Sequence, residues 1–595
     1  TEPEPLLIFK LGSLVSRSIE ISSYLDKSGN SSGGNHSVCG LKSGICIIYF
    51  SSIYSFKFNE NEEPSMIPDF DVVIVGSGPA GVSAAFPLVD AGFRVLMVDG
   101  GKRPDISPPE KDFLVSREND IEQWKWMLGK DYYALKMRDA VSPKLRVPSY
   151  KYVFNGFDEY NKIESKDFIT VGSLSTGGLS NAWGCGVACF SEEESSSFPF
   201  PFSDLKTSYR IVAKRIGISG REKDDLSDYF GLDECSQPPI PMDELHTHIL
   251  NKYSKNKKWV NQYGLKLGRS RVAVLSEDYS DRYGCGLSGN CLWGCSRHSL
   301  YSATYDLKKL REHPNFTEIS GFLVEEVEDI NGVPCIKGLN ISDNTKCTIS
   351  AAKVLLAAGT IASTGLALKA LKTERAVSLK SSPTGAFLLF LPKLLGKQRS
   401  SGFGLGQLSF TLSLSDKINS FGSTFSTTGI PLSEFARYMP LRRRFSIQFL
   451  RGLLSSCVVG NIFLPGYLTE ANIKLKRGKS VVVSGNYNER VELLMNEACG
   501  KLRRTYWKMG ALLLPGSFTV GRPGADIHYA ATFPMKLTPN IGESSQLGEI
   551  EGLKNIHIVD GACLPVLTEK SHTLTIMANA DRIGRQLSHN KVLSV

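Results

Sequence analysis

Two short apolar runs separated by a glycine-rich turn dominate the hydrophobic pattern between residues 70 and 100. The first run, Phe70–Val75, ends at a glycine, as expected of a strand that is buried on both faces of a parallel sheet. Apolar residues then recur at helical spacing over 81–91, and a second apolar run covers 94–98. This order of strand, turn, helix and strand predicts an α/β unit with parallel strands.

The pattern changes twice farther along the chain. Helical spacing returns over 199–216, and alternation of apolar and polar residues over 315–359 predicts an antiparallel ribbon. That ribbon ends in an apolar strand at 353–356, which is expected to rejoin the parallel sheet. Residues 375–515 are apolar and basic and contain no recognisable loop motif.

Residues 1–65 differ from the rest of the sequence. They are rich in serine, and they end in an acidic patch just before Met66. Because Met66 stands directly ahead of the first predicted strand, we hypothesise that the native protein begins there. Residues 1–65 would then be a loose N-terminal extension.

Composition and charge indicate an ordinary globular protein. Hydrophobic residues make up 42% and charged residues 22% of the 595 positions, and the net charge is +9. So mild a basic surplus attracts phosphates or anionic lipids weakly and does not indicate a nucleic-acid-binding protein. No run of about 18 apolar residues is present, so no transmembrane helix is predicted.

The cysteine pattern favours a reducing compartment. The first residues lack the charged start and long apolar run of a secretory signal, so the 13 cysteines are expected to be mostly reduced in the cytoplasm. The spacing of Cys285, Cys291 and Cys295 fits neither a zinc knuckle nor a ferredoxin cluster. We therefore expect no metal site and interpret this segment as a structural loop that packs Trp293 near the cofactor.

The turn after the first strand has the G-x-G-x-x-G pattern of a dinucleotide-binding loop. Its residues are Gly76, Ser77, Gly78, Pro79, Ala80 and Gly81. The first glycine permits the tight turn, the second lets backbone N–H groups approach a pyrophosphate, and the third lets helix and strand pack closely. Asp99 ends the second apolar run, where a carboxylate can accept hydrogen bonds from ribose hydroxyls. The loop by itself is compatible with either NAD or FAD.

Four strings together resemble the glucose–methanol–choline (GMC) oxidoreductase family. They are residues 71–81 with Asp99, the glycine-rich segment 177–184, the segment 354–364, and 555–561 continuing to 571–578. The resemblance implies FAD as the cofactor and contacts to it beyond the first loop. The further residues expected to bind it are Gly178, Ser180, Asn181, Ala358, Gly359, Asp560, Gly561, Thr573 and Leu574.

The resemblance also implies the catalytic residues. His528 opens a string similar to the family's H-x-x-G-T-x-x-M motif, with Ala531 where glycine is usual, and its histidine is the family's catalytic base. His572 stands where the family has histidine or asparagine, and it is expected to hold the substrate oxygen. Histidine suits proton abstraction from a hydroxyl near neutral pH. Ala182 replaces the histidine through which some members attach flavin covalently, so non-covalent FAD is expected.

These features predict an α/β protein in which a discontinuous Rossmann-like FAD-binding domain carries an inserted α+β substrate-binding domain. The FAD-binding domain is expected to comprise 66–110, 160–200, 280–370 and 520–595, and the substrate-binding domain 201–279 and 371–519. The expected reaction is hydride transfer from a small-molecule alcohol to flavin, with an unknown final acceptor. The alternatives are a flavoprotein dehydrogenase acting on a C–C bond of a steroid- or lipid-like substrate, and a non-catalytic flavin-binding protein.

Two segments combine basic clusters with apolar residues, namely 386–397 and 438–454. The first interpretation is a pair of core helices in the substrate-binding domain with exposed basic residues. The second is a surface that contacts an anionic membrane peripherally and admits a lipid-like alcohol. The sequence leaves both open.

Overall fold

The computed structural model describes residues 45–48, 56–59, 68–136, 142–330, 332–397, 400–431, 435 and 441–592. The chain forms two compact units, Thr1–Asn59 and Glu60–Val595. In the first unit, strands Ile45–Ile48 and Phe56–Asn59 pair antiparallel. The rest of the predicted extension 1–65 lies outside the described residues, so its non-native origin stays a prediction.

A seven-stranded sheet, the mixed sheet, forms the centre of the larger unit. Its strand order is Phe322–Ile330, Val333–Asn340, Lys346–Leu356, Phe70–Val75, Val95–Asp99 and Phe316–Ser320, with Ile556–Ile558 also beside Lys346–Leu356. The pairs that involve Phe70–Val75 are parallel, and 322–356 forms an antiparallel ribbon. Val72, Val73 and Ile74 are fully buried, which explains the continuous apolar run.

Helices cover the mixed sheet. Those that position the site are Pro79–Asp90, Phe202–Ile216, Ala303–Leu310, Thr360–Ala370 and Thr573–Val592. Pro79–Asp90 packs along Thr573–Val592, and both contribute to an apolar core with Val72 and Ile74. The predicted α/β class is confirmed, and the helices predicted over 81–91 and 199–216 begin within a few residues of the observed Pro79–Asp90 and Phe202–Ile216.

A second seven-stranded sheet, the antiparallel sheet, is built largely from the region without motifs. Its order is Leu512–Leu513, Thr384–Phe390, Cys457–Phe463, Asn419–Ser426, Gly406–Ser413 and Leu265–Arg269, with Thr519–Val520 also beside Thr384–Phe390. Helices Glu244–Gln262 and Arg490–Lys508 share an apolar core with these strands.

The prediction of a helix over 386–397 is wrong. Thr384–Phe390 is a strand in register with Cys457–Phe463, and a short 3₁₀ turn, Pro392–Leu394, follows it. Burial alternates along Thr384–Phe390, so one face of the strand is packed on the core. A short apolar run does not distinguish a strand from a helix, and Pro392 ends the regular element. The other segment does contain a helix, Arg443–Leu453.

A five-stranded sheet adjoins the site. Its order is Tyr529–Ala530, Val377–Ser381, Thr469–Lys476, Ser480–Tyr487 and Ile163–Lys166. The edge strand Tyr529–Ala530 follows His528 directly. This sheet therefore fixes the backbone next to the predicted catalytic base.

The remaining elements are short. The helices are Phe113–Asn119, Gln123–Met127, Tyr133–Lys136, Lys151–Phe154, Phe157–Asn161 and Ser227–Phe230, and strands Ile218–Ser219 and Ser236–Gln237 pair parallel. The other 3₁₀ turns are Pro143–Arg146, Pro148–Tyr150, Gly178–Ala182, Asp233–Cys235, Ser415–Lys417, Leu454–Ser456, Gly466–Leu468 and Gly561–Cys563. None of the helices in the described residues is both long and apolar enough to cross a membrane. The predicted domain boundaries stay predictions.

Candidate active site

One cavity of about 1200 Å³ brings the predicted cofactor loops and the predicted catalytic pair together. Both histidines line it. The predicted cofactor residues that line it are Gly76, Ser77, Gly78, Pro79, Ala80, Asp99, Gly178, Ser180, Ala358, Gly359, Asp560, Gly561 and Thr573. Gly81, Asn181 and Leu574 do not line it.

The first glycine loop is shaped by close backbone contacts. Gly76 has a φ of +109°, and a Cβ there would overlap with the carbonyl oxygen of Ala357. A Cβ at Gly81 would overlap with the carbonyl oxygen of Gly76, which is why Gly81 packs behind the loop. Nothing lies within 4 Å of a Cβ built at Gly78, so the start of helix Pro79–Asp90 is open toward the cavity. A helix N-terminus open in this way can hold an anionic pyrophosphate.

Asp99 links two loops. Its carboxylate accepts hydrogen bonds from the Ser77 hydroxyl and, at 2.8 Å, from the Gly101 backbone N–H. The Ser77 hydroxyl in turn accepts a 2.9 Å hydrogen bond from the Gly177 N–H. Burial raises the pKa of Asp99, and Ser77 opposes that shift by hydrogen bonding. Asp99 therefore holds the first glycine loop against the second at the edge of the cavity.

Asp560 also links two loops that line the cavity. Its Oδ2 accepts hydrogen bonds from the Gly359 N–H at 2.9 Å and the Ser363 hydroxyl at 2.5 Å. Its Oδ1 accepts a 3.0 Å hydrogen bond from the Ala562 N–H. Burial raises the pKa of Asp560 to about 6. The carboxyl thus joins the loop at Gly359 to the turn that begins at Gly561.

Asn181 and Leu574 have supporting positions. The Asn181 side-chain amide donates to the Thr176 carbonyl oxygen at 2.9 Å, and its oxygen accepts from the Ser302 hydroxyl at 2.8 Å. Leu574 is fully buried in an apolar cluster. Both residues hold elements that line the cavity without facing it themselves.

The two histidines face each other in the cavity. The ring centroids of His528 and His572 are 5.0 Å apart in an edge-to-face arrangement, and the Phe463 ring lies 5.3 Å from that of His528. Burial lowers the pKa of His528 to about 4. Burial, followed by the charge of His528, holds the pKa of His572 well below its usual value. Nδ1 of His572 is buried and has no hydrogen-bond partner among the described residues, while the residue lines the cavity.

Asp526 is a candidate site residue that the sequence did not indicate. Its carboxylate accepts 2.8 Å hydrogen bonds from the Ser381 hydroxyl and the Ser382 N–H. Its Oδ2 lies 3.6 Å from Nδ1 of His528. Burial raises the pKa of Asp526 to about 7. The sequence could have indicated Asp526 only through its position, because a single residue separates this acid from His528.

Lys144 was also missed, because its segment carries no recognisable motif. Its Nζ donates a 2.7 Å hydrogen bond to the Trp183 carbonyl oxygen, and the residue lines the cavity. Burial lowers the pKa of Lys144. A buried amine therefore lies beside the glycine-rich segment 177–184.

The cysteine loop packs against an aromatic cluster. Trp293 is buried, its indole N–H donates to the Gly429 carbonyl oxygen at 2.9 Å, and its ring stacks on Phe113 at 6.2 Å between centroids. Leu292, the preceding residue, lines the cavity. Within the part of the chain that the structure describes, no group of three or more His, Cys, Asp or Glu side chains could hold a metal ion.

Comparison with known proteins gives both sequence and structural likenesses. Residues 70–168 match the family described as pyridine nucleotide-disulphide oxidoreductase. The chain is 22% identical to paromamine 6'-oxidase of Streptomyces fradiae over 568 residues, which cover 88% of this chain and 92% of that protein. It is 25% identical to pyranose 2-oxidase of Emericella nidulans over 222 residues, about 35% of each protein.

Two solved structures share the fold. Pyridoxine 4-oxidase from Mesorbium loti has a TM-score of 0.54 and formate oxidase from Aspergillus oryzae RIB40 also 0.54. The identities are 14% and 13%, and each likeness covers 88% of this chain and 99% of the other. At such identities the likeness concerns the fold.

The likenesses agree with the four motif strings. The likenesses to paromamine 6'-oxidase and to pyridoxine 4-oxidase each cover 88% of the chain. The predictions of an enzyme and of FAD as its cofactor are confirmed. The predicted resemblance to the glucose–methanol–choline family is therefore confirmed, and the chain is an FAD-dependent oxidoreductase.

Proposed function

We propose that the enzyme oxidises a CH–OH group of a small-molecule alcohol, with His528 as the base. The observation that carries this proposal is the pair His528 and His572 in the same cavity as the dinucleotide loops. Removal of a hydroxyl proton requires a base inside the cavity, and a neutral imidazole supplies one. A dehydrogenase of C–C bonds or a non-catalytic flavin protein has no need of two buried imidazoles here.

The proposal assigns the cofactor to the glycine-rich side of the cavity. The open start of helix Pro79–Asp90 would hold the pyrophosphate, and the start of helix Thr573–Val592 would direct its N–H groups at the flavin ring. When bound, FAD supplies the two-electron acceptor for the hydride of the carbinol carbon. The open space at Gly78 supports this placement.

The two histidines and Asp526 have different proposed roles in the oxidation of the alcohol. His528 is neutral at neutral pH because burial lowers its pKa to about 4. Since its Nδ1 faces Asp526, its Nε2 is the atom proposed to take the hydroxyl proton. The carboxylate of Asp526 then stabilises the imidazolium, and the ring of His572, which lines the same cavity, holds the substrate oxygen by a hydrogen bond.

The proposal includes the final electron acceptor and the cellular location of the enzyme. The relatives are named oxidases of paromamine, pyranose and pyridoxine, which favours dioxygen as the final acceptor. We place the enzyme in the cytoplasm, in contact with a membrane surface.

An alcohol panel tests the proposal. The purified yellow protein is expected to produce hydrogen peroxide with at least one alcohol in air and to reduce an artificial dye with the same alcohol. The variant H528N should keep its flavin and lose both activities. The proposal is wrong if no alcohol reduces the dye while other substrates with activated C–C bonds do.

The attachment of the cofactor has its own test. Ala182 lines the cavity in the glycine-rich loop, and an alanine side chain forms no bond to flavin. Acid precipitation is expected to release all flavin into the supernatant. Flavin that stays in the pellet after washing in denaturant contradicts non-covalent binding.

A further inference from the structure

Helix Arg443–Leu453 carries apolar side chains that line the cavity and apolar side chains that are exposed. Leu450 and Leu453 line the cavity, and Leu450 is only 1% exposed. On the outer face, Phe445 is 57% and Phe449 is 53% exposed. A helix in the wall of a cavity needs one apolar face, so the outer phenylalanines are unexplained by packing.

The same helix lies in a stretch without acidic residues. Residues 435–469 contain five arginines and no aspartate or glutamate. Arg442, Arg444 and Arg451 are exposed, and among the described residues no carboxylate lies within ion-pair distance of them. The outer face therefore combines large apolar side chains with uncompensated positive charge.

A second segment adds to this surface. Helix Phe113–Asn119 lies nearby: Phe113 stacks on Trp293, whose indole N–H donates to the Gly429 carbonyl oxygen, and the Thr427 hydroxyl donates to the Leu454 carbonyl oxygen. The residues just after it expose further apolar side chains. These are Ile121 at 93%, Trp124 at 39%, Tyr132 at 53% and Leu135 at 60%. This second segment, residues 113–135, contains three basic and four acidic residues, so it adds apolar side chains and no net positive charge. We call helix Arg443–Leu453 together with Arg442 the arginine surface.

The cavity behind the helix is apolar away from the glycine loops. The side chains that line this part include Phe387, Phe421, Phe425, Ile430, Leu450 and Leu453. Such a lining favours a substrate whose body is a hydrocarbon, with the polar group of the alcohol near the histidines.

We propose that the arginine surface docks on an anionic membrane and that an apolar alcohol enters the cavity from the bilayer beside helix Arg443–Leu453. The inference rests on the proposed alcohol oxidation and adds the class of substrate and its source. Exposed arginines bind anionic headgroups, while exposed phenylalanines enter the interface between headgroups and acyl chains. The charge of the surface selects an anionic membrane over a neutral apolar partner.

Vesicle sedimentation tests the docking. The full-length holoenzyme is mixed with vesicles of phosphatidylcholine alone or with phosphatidylserine added. It should bind only the anionic vesicles, and high salt should weaken the binding. The double variant R442Q/R444Q should bind about 25-fold more weakly, and F445S/F449S about tenfold or more.

A matched control comes from another exposed helix. Arg503 and Arg504 on helix Arg490–Lys508 are exposed next to Trp507, and the double variant R503Q/R504Q should bind vesicles like the wild type. Equal binding of all variants, or no binding to anionic vesicles, overturns the proposal. So does concentration-dependent self-association that only the arginine-surface variants lose, because the surface would then contact a second copy of the chain.

A substrate comparison separates docking from chemistry. A long-chain alcohol carried in anionic vesicles should be oxidised at least about fivefold more slowly by F445S/F449S than by the wild type. A short water-soluble alcohol should be oxidised equally by both. If neither alcohol is oxidised by wild type, alcohol oxidation itself fails. If the wild type and F445S/F449S oxidise the vesicle-borne alcohol equally, only the proposed entry route is wrong.

Discussion

The two sides of the cavity are built by different means. The glycine side consists of loops at the ends of the mixed sheet, where backbone groups and buried carboxylates such as Asp99 and Asp560 form the wall. The aromatic side consists of side chains from the antiparallel sheet and helix Arg443–Leu453, such as Phe421 and Leu453. A dinucleotide needs backbone shapes that few residues allow, whereas a hydrocarbon needs only apolar volume. The glycine side is therefore intolerant of single changes, and the aromatic side is tolerant.

The largest effect is expected from Gly81→Ala on the glycine side. Its methyl group would overlap with the carbonyl oxygen of Gly76, so the first loop must move. The variant should be isolated without flavin, as measured by the ratio of flavin to protein absorbance. The control is Gly500→Ala, where a Cβ meets nothing within 4 Å and helix Arg490–Lys508 accepts alanine. Full flavin content in Gly81→Ala would show that the close packing is dispensable.

The second largest effect is expected from removal of the proposed base. His528→Asn should lower kcat by about 10²–10⁴ while bound flavin stays, because a positioned base contributes about that much. Stopped-flow reduction by an alcohol measures it. His298→Asn is the control, since His298 is exposed at a φ of +57°, a conformation that asparagine tolerates. A rate within threefold of wild type in His528→Asn would remove the residue from the role of base.

A smaller effect is expected from Asp526→Asn. Burial raises the pKa of Asp526 to about 7, so the carboxylate is present above pH 7 and lost below it. Since the carboxylate stabilises protonated His528, kcat/KM should rise with pH through about 7 in the wild type. The variant should lose this rise and about tenfold of the rate at high pH. An unchanged pH profile would assign the rise to another group.

The smallest effect is expected on the aromatic side. Leu453→Trp narrows the apolar part of the cavity without touching the glycine loops. It should lower kcat/KM for a bulky apolar alcohol about tenfold, leave a small alcohol unchanged and leave flavin content unchanged. Equal losses for both alcohols would indicate that Leu453 affects the flavin side, and the two sides would then not be independent.

The glycine side of the cavity could be predicted from the sequence better than the aromatic side. Gly76, Gly78 and Asp99 could be read from the chain because the constraint on them is local: strand, turn and helix are consecutive. His528 and His572 needed the family resemblance, since their approach to 5.0 Å between ring centroids depends on two distant segments.

The aromatic side was not predictable from the sequence. Segment 386–397 was expected to be helical because a short apolar run fits both a helix and a buried strand. Its pairing with Cys457–Phe463 is a contact between residues far apart in the chain. Asp526 was missed for a related reason, since its side chain is buried by contacts with the distant residues Ser381 and Ser382.

The most direct test of the central claim is anaerobic reduction of the bound flavin by an alcohol. Without oxygen, the yellow holoenzyme should lose its oxidised-flavin absorbance when a suitable alcohol is added, and the aldehyde or ketone should form in equal amount. The His528→Asn holoenzyme should stay yellow over the same time. Equal bleaching of both enzymes, or bleaching without formation of a carbonyl product, would contradict alcohol oxidation with His528 as its base.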